Sequence, residues 1–420
     1  MLGPLCRGAG GGCRARQPRP AYHAGMDVPD AVRGRRRRPG GGNAGQLAAE
    51  LLRINAARAL DQLSAVVAAA CGDAPALVGL SGGLDSAVLA AVVAGVLGQG
   101  RVRLVYVYDR TSAPALRERA RAVAVWLGVP LEEVSIDADL AALGVYASPV
   151  ARLTAFSGAV NRRLYRLYGA VTGETPFVTT LRVGQSAETA APERSKGPAA
   201  PREGIGGLGE PSVAPVPETS GPWYRRLVLE AEAGFVARHR RRREVLEEMA
   251  GHGGDSTRGG YLLLGAANRT EWLTGWFVKG GIDDLPGQPL RGLYKTQVRQ
   301  LAVALDVPAS VLAAAPSPDM MKGLTDEIAL GMPYPVVDLA LDMLAGGLGA
   351  GGVGAGGLGA GAVGAAGVAA GVGPRELRRV QAMTELSRWK RRPAPLSPAT
   401  VTPVLPEYPV DGGPSGGLRS

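Results

Sequence analysis

The sequence predicts an α/β fold, in which helices cover both faces of a doubly wound parallel sheet and long flexible insertions interrupt the chain. Three observations support this prediction. Short apolar runs alternate with stretches of helical periodicity, a Ser/Gly loop follows the first run, and 62 Gly with 32 Pro among 420 residues exceed the usual share. Strand–helix alternation is typical of parallel sheets, whose ligands bind at the carboxyl ends of the strands.

The predicted elements follow one another in that alternation. Apolar residues at helical spacing predict amphipathic helices. These cover residues 46–70, 86–97, 113–127, 235–250, 294–305 and 374–389. Short buried runs predict the strands, which are residues 76–80, 102–108, a segment after 129, and 261–265. A Pro/Gly/Ser-rich stretch at 193–221 has no period, which indicates a flexible insertion.

Composition divides the chain into five parts. The basic N-terminus has no apolar segment of signal-peptide length, so we expect a disordered tail and a cytoplasmic protein. A repeat of period five over residues 346–370 is apolar, but its glycine density favours a flexible linker over a membrane span. The expected parts are a tail at 1–44, one α/β domain at 45–344 with an insertion at about 140–225, a Gly/Ala-rich linker at 345–373, a C-terminal helix with a closing segment at 374–395, and a disordered tail at 396–420.

Charge and cysteine content exclude several classes of protein. The formal net charge is +10, but the basic residues are mostly arginine, which a coding sequence rich in G and C explains. We therefore expect neither nucleic acid nor a membrane as a partner. The three cysteines, Cys6, Cys13 and Cys71, form no CxxC pair and have no histidine at ligand spacing. We therefore expect neither a zinc site nor a disulfide framework.

The clearest motif is the loop Ser81–Ser86, SGGLDS, between a predicted strand and an apolar helix. Two glycines let the backbone approach an anion, while amides at a helix N-terminus and two hydroxyls donate hydrogen bonds to it. Asp85 can hold the Mg²⁺ that accompanies nucleotide phosphates. The Gly-Lys-Ser/Thr of a Walker loop is missing. The motif therefore predicts a pyrophosphate cradle of another kind.

This loop resembles the PP-loop, SGGxDS, of the N-type ATP pyrophosphatases, which adenylate a carboxylate or carbonyl and release pyrophosphate. Later segments resemble the NAD synthase family in particular. They are LGAANRTEWLTGWFVK at 264–279, LYKTQV at 293–298, PSPDM at 316–320, GLTDE with the following LG, Tyr and Asp at 323–338, and Lys390-Arg391. The resemblance covers about 46–344 together with the last helix.

The resemblance implies an ammonia-dependent synthase that binds ATP and Mg²⁺ and amidates deamido-NAD through an acyl adenylate, giving NAD, AMP and pyrophosphate. It implies that Asp85 and Glu271 are metal ligands, and that Asp85, Lys279 and Lys295 are catalytic. The implied nucleotide-binding residues are Ser81, Gly82, Gly83, Asp85, Ser86, Arg110, Lys295, Ser317 and Lys390. We expect a homodimer, and a separate glutaminase could supply ammonia, since only about 45 residues precede the first helix.

Three further expectations concern a loop that departs from the family pattern, the exposure of Asp85, and the mobility of the C-terminal segment. The loop from Lys279 to Asp284 is about three residues shorter than in the family, and either Asp283 or Asp284 could replace a missing aspartate. Asp85 is expected on an exposed turn, and Lys390 with Arg391 in a mobile segment that is disordered in the free protein. Two alternatives remain open: another PP-loop pyrophosphatase that modifies tRNA or a cofactor, and a non-catalytic relative.

Overall fold

The computed structural model describes residues 42–190, 223–251, 260–319, 321–346 and 367–391. In this part of the chain, four parallel strands form one sheet in the order β3-β2-β1-β4. The strands are β1 Ala76–Gly79, β2 Val102–Tyr108, β3 Leu131–Ser135 and β4 Leu262–Leu264. Val78 pairs with Leu104 on one side and with Leu264 on the other.

Helices connect the strands and extend the chain beyond them. Those before β4 are α1 Gly42–Leu51, α2 Ala56–Cys71, α3 Leu84–Leu97, α4 Pro114–Leu127, α5 Asp137–Ala142, α6 Pro149–Phe156, α7 Gly158–Thr172, α8 Pro176–Ala190 and α9 Trp223–Ala250. Those after β4 are α10 Arg269–Thr274, α11 Lys295–Ala304, α12 Ala309–Leu312, α13 Asp326–Leu330, α14 Tyr334–Leu344, α15 Pro374–Leu386 and α16 Arg388–Arg391.

Side chains of the central strand alternate between the two faces of the sheet. Ala76 and Val78 of β1 join the apolar core that α2, α3, α4 and α11 complete. Leu77 joins the opposite core, with Leu140 of α5 and Leu246 of α9. Because successive side chains of a strand point to opposite faces, both faces of the sheet are covered by helices. The predicted doubly wound α/β fold is confirmed.

A second region of core lies beside the sheet. Helices α1, α8, α14 and α15 pack Ala48, Leu181, Val337 and Val380 together there. Helix α8 falls inside the insertion expected at about 140–225, so the part of that insertion up to residue 190 is helical and contributes to the core. The flexible part that we expected at 193–221 lies outside the described residues.

Element bounds differ from the predictions in two further places. The helix predicted over 46–70 is two helices, because the side chain of Asn55 accepts a hydrogen bond from Arg58 N (3.0 Å) and caps α2. The linker expected at 345–373 ends earlier, since Ala370 and Val372 are buried in the second core. Helix α1 begins at Gly42, inside the tail expected at 1–44. Residues 1–41, the end of the closing segment at 392–395, the tail at 396–420 and most of the repeat lie outside the described residues. No helix in the described part of the chain has the length and hydropathy needed to cross a bilayer.

We expect residues 347–366 to be replaceable by about five glycines at a gain of about 1 kcal/mol in the free energy of unfolding, from ~0.6 kcal/mol for each halving of loop length. The two ends are already adjacent, because a Cβ on Gly367 would lie 3.0 Å from Met343 Cε. Urea unfolding measures the change. As a control, a deletion that continues through Val372 should destabilise the fold by about 2 kcal/mol or more. A large loss from the shorter deletion would show that the repeat packs as structure.

Candidate active site

The loop after β1 is built as a cradle of backbone amides at the N-terminus of α3. Ser86 Oγ donates to Gly83 O (3.1 Å), and Gly83 N donates to Ser81 Oγ (3.2 Å). Gly82 has a φ of 75°, and a methyl group there would overlap the carbonyl oxygen of Leu116. Only glycine fits this position without displacing α4. The loop and the helix N-terminus form the kind of anion site that the motif predicts.

Facing the loop, three charged side chains meet inside the protein. Lys295, the first residue of α11, contacts the Asp85 carboxylate, and its Nζ lies 3.4 Å from Glu271 Oε1. The exposed fractions of these side chains are 8% for Lys295, 14% for Asp85 and 15% for Glu271. Asp85 also accepts from Asn268 Nδ2 (3.1 Å). The expectation of an exposed turn is therefore wrong, because α11 and Asn268, the residue that caps α10, pack against the start of α3.

Negative charge exceeds positive charge in this cluster. Burial raises the pKa of Glu271 well above its usual range; Lys295 opposes the rise and Asp85 adds to it. Burial alone would lower the pKa of Lys295, but the carboxylates of Asp85, Glu271 and Asp326 outweigh it and the net pKa is raised. Burial also raises the pKa of Asp326. Two carboxylates thus contact one ammonium and the charge of a third acts on it, an arrangement that a further cation would relieve.

The cluster supplies only some of the ligands that a Mg²⁺ ion needs. Asp85 and Glu271 offer the hard oxygen donors that this ion prefers. Within the described residues, no three acidic, histidine or cysteine side chains form a closed metal cage. Phosphate oxygens and water would have to supply the remaining ligands, which is how Mg²⁺ is usually held at nucleotide sites.

A buried carboxylate that the motif comparison left without a role positions this cluster. Asp338 of α14 accepts from Thr296 N (2.8 Å) and from the hydroxyl of Thr270, which itself accepts from Lys295 N (2.9 Å). Burial raises the pKa of Asp338 to about 6. Asn268 caps α10 by accepting from Glu271 N (3.0 Å). These bonds fix Lys295 at the start of α11 and Glu271 in the first turn of α10, and only the tertiary structure reveals them.

The structure brings some of the predicted residues together and leaves others apart. The loop Ser81–Ser86, Glu271, Lys295, Ser317 and Lys390 line one cavity. Ser317 Oγ donates to Leu324 O (3.2 Å). Arg110 pairs with Asp137 (3.1 Å), and Lys279 Nζ donates to Trp389 O (2.8 Å). Neither Arg110 nor Lys279 is among the residues that line the cavity.

The C-terminal residues of the described chain are docked rather than mobile. Lys390 is buried and donates to Gly275 O (3.0 Å) and Phe277 O (2.7 Å), and burial lowers its pKa. Arg391 donates to Leu273 O (2.6 Å). The expectation of disorder is wrong for these two residues, because the carbonyls at the end of α10 need donors and the two cations supply them.

The wall opposite the loop comes from α9 and from the shortened loop after Lys279. His239 and Arg242 of α9 line the cavity together with Asp283. Asp284 instead accepts from Gly280 N (2.9 Å) and stabilises the turn. Of the two aspartates left open by the sequence, Asp283 therefore lies on the cavity wall. Sequence reasoning missed His239 and Arg242 as wall residues, although their helical spacing with Leu246, a core residue of the same helix, is the signal that could have found them.

A parallel strand that ends in an SGGxDS cradle, opposite a buried lysine and carboxylates, is the arrangement of the PP-loop ATP pyrophosphatases. Fold and site together place the chain in that class. Within it, the family model of NAD synthase matches residues 56–163 and 239–350. The chain belongs to the NAD synthase family.

Relatives agree with this assignment. The chain is 29% identical over 322 residues to an NH(3)-dependent NAD(+) synthetase of Thermotoga maritima, covering 77% of this chain and 92% of the relative. It is 30% identical over 266 residues to the enzyme of the same name from Thermotoga neapolitana, covering 63% and 76%. Among solved structures, an NMN synthetase from Francisella tularensis superimposes with a TM-score of 0.50 at 19% identity, over 83% of this chain and all (100%) of that one. This last likeness concerns the fold alone.

Proposed function

We propose that this chain is an ammonia-dependent NAD synthase. ATP adenylates the nicotinate carboxyl of deamido-NAD with release of pyrophosphate, and ammonia then displaces AMP to give NAD. Family membership and the shared name of the relatives support the reaction. The observation that carries it is the contact of Lys295 with Asp85 and Glu271 beside the PP-loop, because adenylation needs fixed cations where negative charge develops.

Each residue of the cluster then has a task. The amides and hydroxyls of Ser81–Ser86 bind the phosphates that leave as pyrophosphate, and Lys295 orients the reacting phosphate. Asp85 and Glu271 would hold Mg²⁺, which supplies charge neutralisation to the phosphates when bound. Ser317 and Lys390 complete the nucleotide site from the cavity wall. Arg110 and Lys279 would have to leave Asp137 and Trp389 to reach a nucleotide, so we assign them no contact in this conformation.

Omission of single substrates tests the proposal. Pyrophosphate and NAD are measured with ATP, Mg²⁺, deamido-NAD and ammonium together, and with each left out in turn. We expect NAD only in the complete mixture, and pyrophosphate only when deamido-NAD is present. With glutamine in place of ammonium we expect no NAD unless a separate glutaminase is added. No turnover in the complete mixture would favour a non-catalytic relative, and pyrophosphate release that needs tRNA would favour the modifying class.

We also propose a homodimer through an exposed apolar face of α7 and the start of α9. Leu167 is 60% exposed and Trp223 is 73% exposed. The rings of Tyr168 and Tyr224 lie 5.8 Å apart, so the two helices are adjacent. Exposed apolar side chains grouped in this way mark interaction surfaces.

Leu167→Arg should convert the dimer to a monomer, because a charge would have to be buried at the interface without a partner. Light scattering on the purified protein measures the mass. Val125→Arg on α4 is the matched control, since Val125 is also exposed and should leave the dimer intact. A dimer that survives Leu167→Arg would rule out this face.

A further inference from the structure

Within the described ranges of the chain, a buried histidine on the cavity wall has no hydrogen-bond partner. His239 of α9 is 9% exposed, and its Nδ1 lies 3.3 Å from Asp283 Oδ2. Neither ring nitrogen makes a hydrogen bond to any residue in the described part of the chain. Buried polar atoms are almost always satisfied, so we expect this imidazole to bind a water molecule or a polar ligand. Since Nδ1 faces Asp283, Nε2 is the nitrogen that remains to bind such a ligand.

The surroundings hold the imidazole in place. A methyl group on Gly281 would lie 2.9 Å from His239 Cβ, so the backbone of the shortened loop packs directly against this residue. Four charged groups of the cavity lining come from the elements beside it: Asp283 from that loop, Glu232 and Arg242 from α9, and Lys390 from α16. The other charged groups that line the same cavity are Asp85, Arg119, Glu271, Lys295, Arg299, Asp319 and Asp326. A carboxylate 3.3 Å from Nδ1 favours a proton on that nitrogen and leaves Nε2 as the proton acceptor, which is how a histidine base is oriented.

The amidation step needs such a base. At neutral pH most ammonia in water is ammonium, whose nitrogen lone pair is held by a proton and cannot attack a carbonyl. The carboxylates of Asp85 and Glu271 are engaged by Lys295. Resting on the proposed function, we propose that His239 is a catalytic base that accepts a proton from ammonium in this cavity, and that Asp283 is a positioning residue that orients its ring.

The step balances without a further reactant. One proton passes from ammonium to His239 Nε2 and leaves neutral ammonia. The ammonia lone pair forms the new C–N bond at the acyl carbon, the bond from that carbon to the AMP oxygen breaks, and AMP leaves with its electron pair. A second proton leaves the new nitrogen as the amide forms and is taken up by solvent. His239 then returns its proton to solvent before the next turnover.

A change of nucleophile isolates this role. Hydroxylamine is largely neutral at pH 7, so it attacks an acyl adenylate without first losing a proton. For His239→Gln we expect a burst of pyrophosphate equal to that of the unaltered enzyme and hydroxamate formation within about twofold. NAD formation from ammonium should fall by about 10²-fold or more, the usual contribution of a base. Raising the pH to 9, where free ammonia is abundant, should restore most of that loss.

Two variants distinguish the role of the base, His239, from that of the positioning residue, Asp283. Asp283→Asn should lower the ammonium reaction by a smaller factor and spare hydroxylamine. Asp284→Asn, the neighbouring carboxylate that bonds Gly280 N, is the matched control and should change neither reaction. Equal losses with both nucleophiles, or an unchanged ammonium rate in His239→Gln, would overturn the proposal. Absence of NAD formation by the unaltered enzyme would instead overturn the proposed function, and this assignment with it.

Discussion

Asp85→Asn is expected to lower the rate of pyrophosphate release by about 10²–10³-fold, the usual effect of removing one group that stabilises developing charge. Asp85 is the residue that joins the PP-loop to Lys295. The amide keeps the shape of the side chain but loses the charge that holds Lys295 and that we propose binds Mg²⁺. The rate should also need a higher concentration of Mg²⁺. Single-turnover pyrophosphate release across a Mg²⁺ titration measures both effects.

Asp61→Asn is the control for that experiment, because Asp61 is an exposed aspartate on α2, outside the residues that line the cavity. It should change neither the rate nor the Mg²⁺ requirement. If Asp85→Asn retains a nearly full rate with the same Mg²⁺ requirement, the assignment of the PP-loop and of its metal ligand fails.

Lys295→Met is expected to cost both activity and stability. Methionine fills the space of the lysine side chain, but Asp85 and Glu271 remain buried without their cation, and breaking such a pair costs about 3–5 kcal/mol. Pyrophosphate release should fall by about 10²-fold or more. Urea unfolding and single-turnover release measure the two losses. Lys322→Met, at an exposed lysine, is the control and should leave both unchanged.

The stability loss in Lys295→Met should depend on pH with a definite sign. The pKa of Glu271 is already raised by burial, and loss of the ammonium that opposes this raises it further. A carboxyl whose folded pKa exceeds its unfolded pKa binds more protons when folded, so stability falls as pH rises from the unfolded pKa to the folded one. The variant should therefore be closer to the parent at pH 5 than at pH 8. A larger deficit at pH 5 would contradict this account of the cluster.

Features set by neighbouring residues could be predicted from the sequence, whereas contacts between residues on separate elements could not. The PP-loop was predictable because Gly82, Ser86 and the helix start lie within six residues, and their geometry follows from backbone conformation alone. Glu271 and Lys295 were predictable as motif positions but not as partners, since their contact joins separate helices. Asp338 acts through two threonines on other elements, and nothing near it in the sequence indicates that.

Two lysines, Lys279 and Lys390, show what sequence comparison could not predict. Lys279 and Lys390 lie within motif blocks, so sequence comparison alone assigns both to the nucleotide site. In the structure Lys279 donates to Trp389 O and Lys390 donates to Phe277 O, and of these two lysines Lys390 lines the cavity. These two hydrogen bonds depend on where α16 packs, and no local sequence pattern predicts that packing. The role of His239 was likewise not predictable from the sequence, because only the packing of the shortened loop makes its imidazole part of a cavity.

The docking of α16 also bears on when this site can form during synthesis. Strands β1, β2 and β3 are near one another in sequence, so they can pair while the rest of the chain is still being translated. Lys390, in contrast, completes the cavity wall by bonding Phe277 across a separation of 113 residues. A nascent chain that already holds its sheet therefore still has an open nucleotide site. Premature termination before Lys390 would leave a folded sheet with an incomplete wall, a product that accumulates as protein but not as activity.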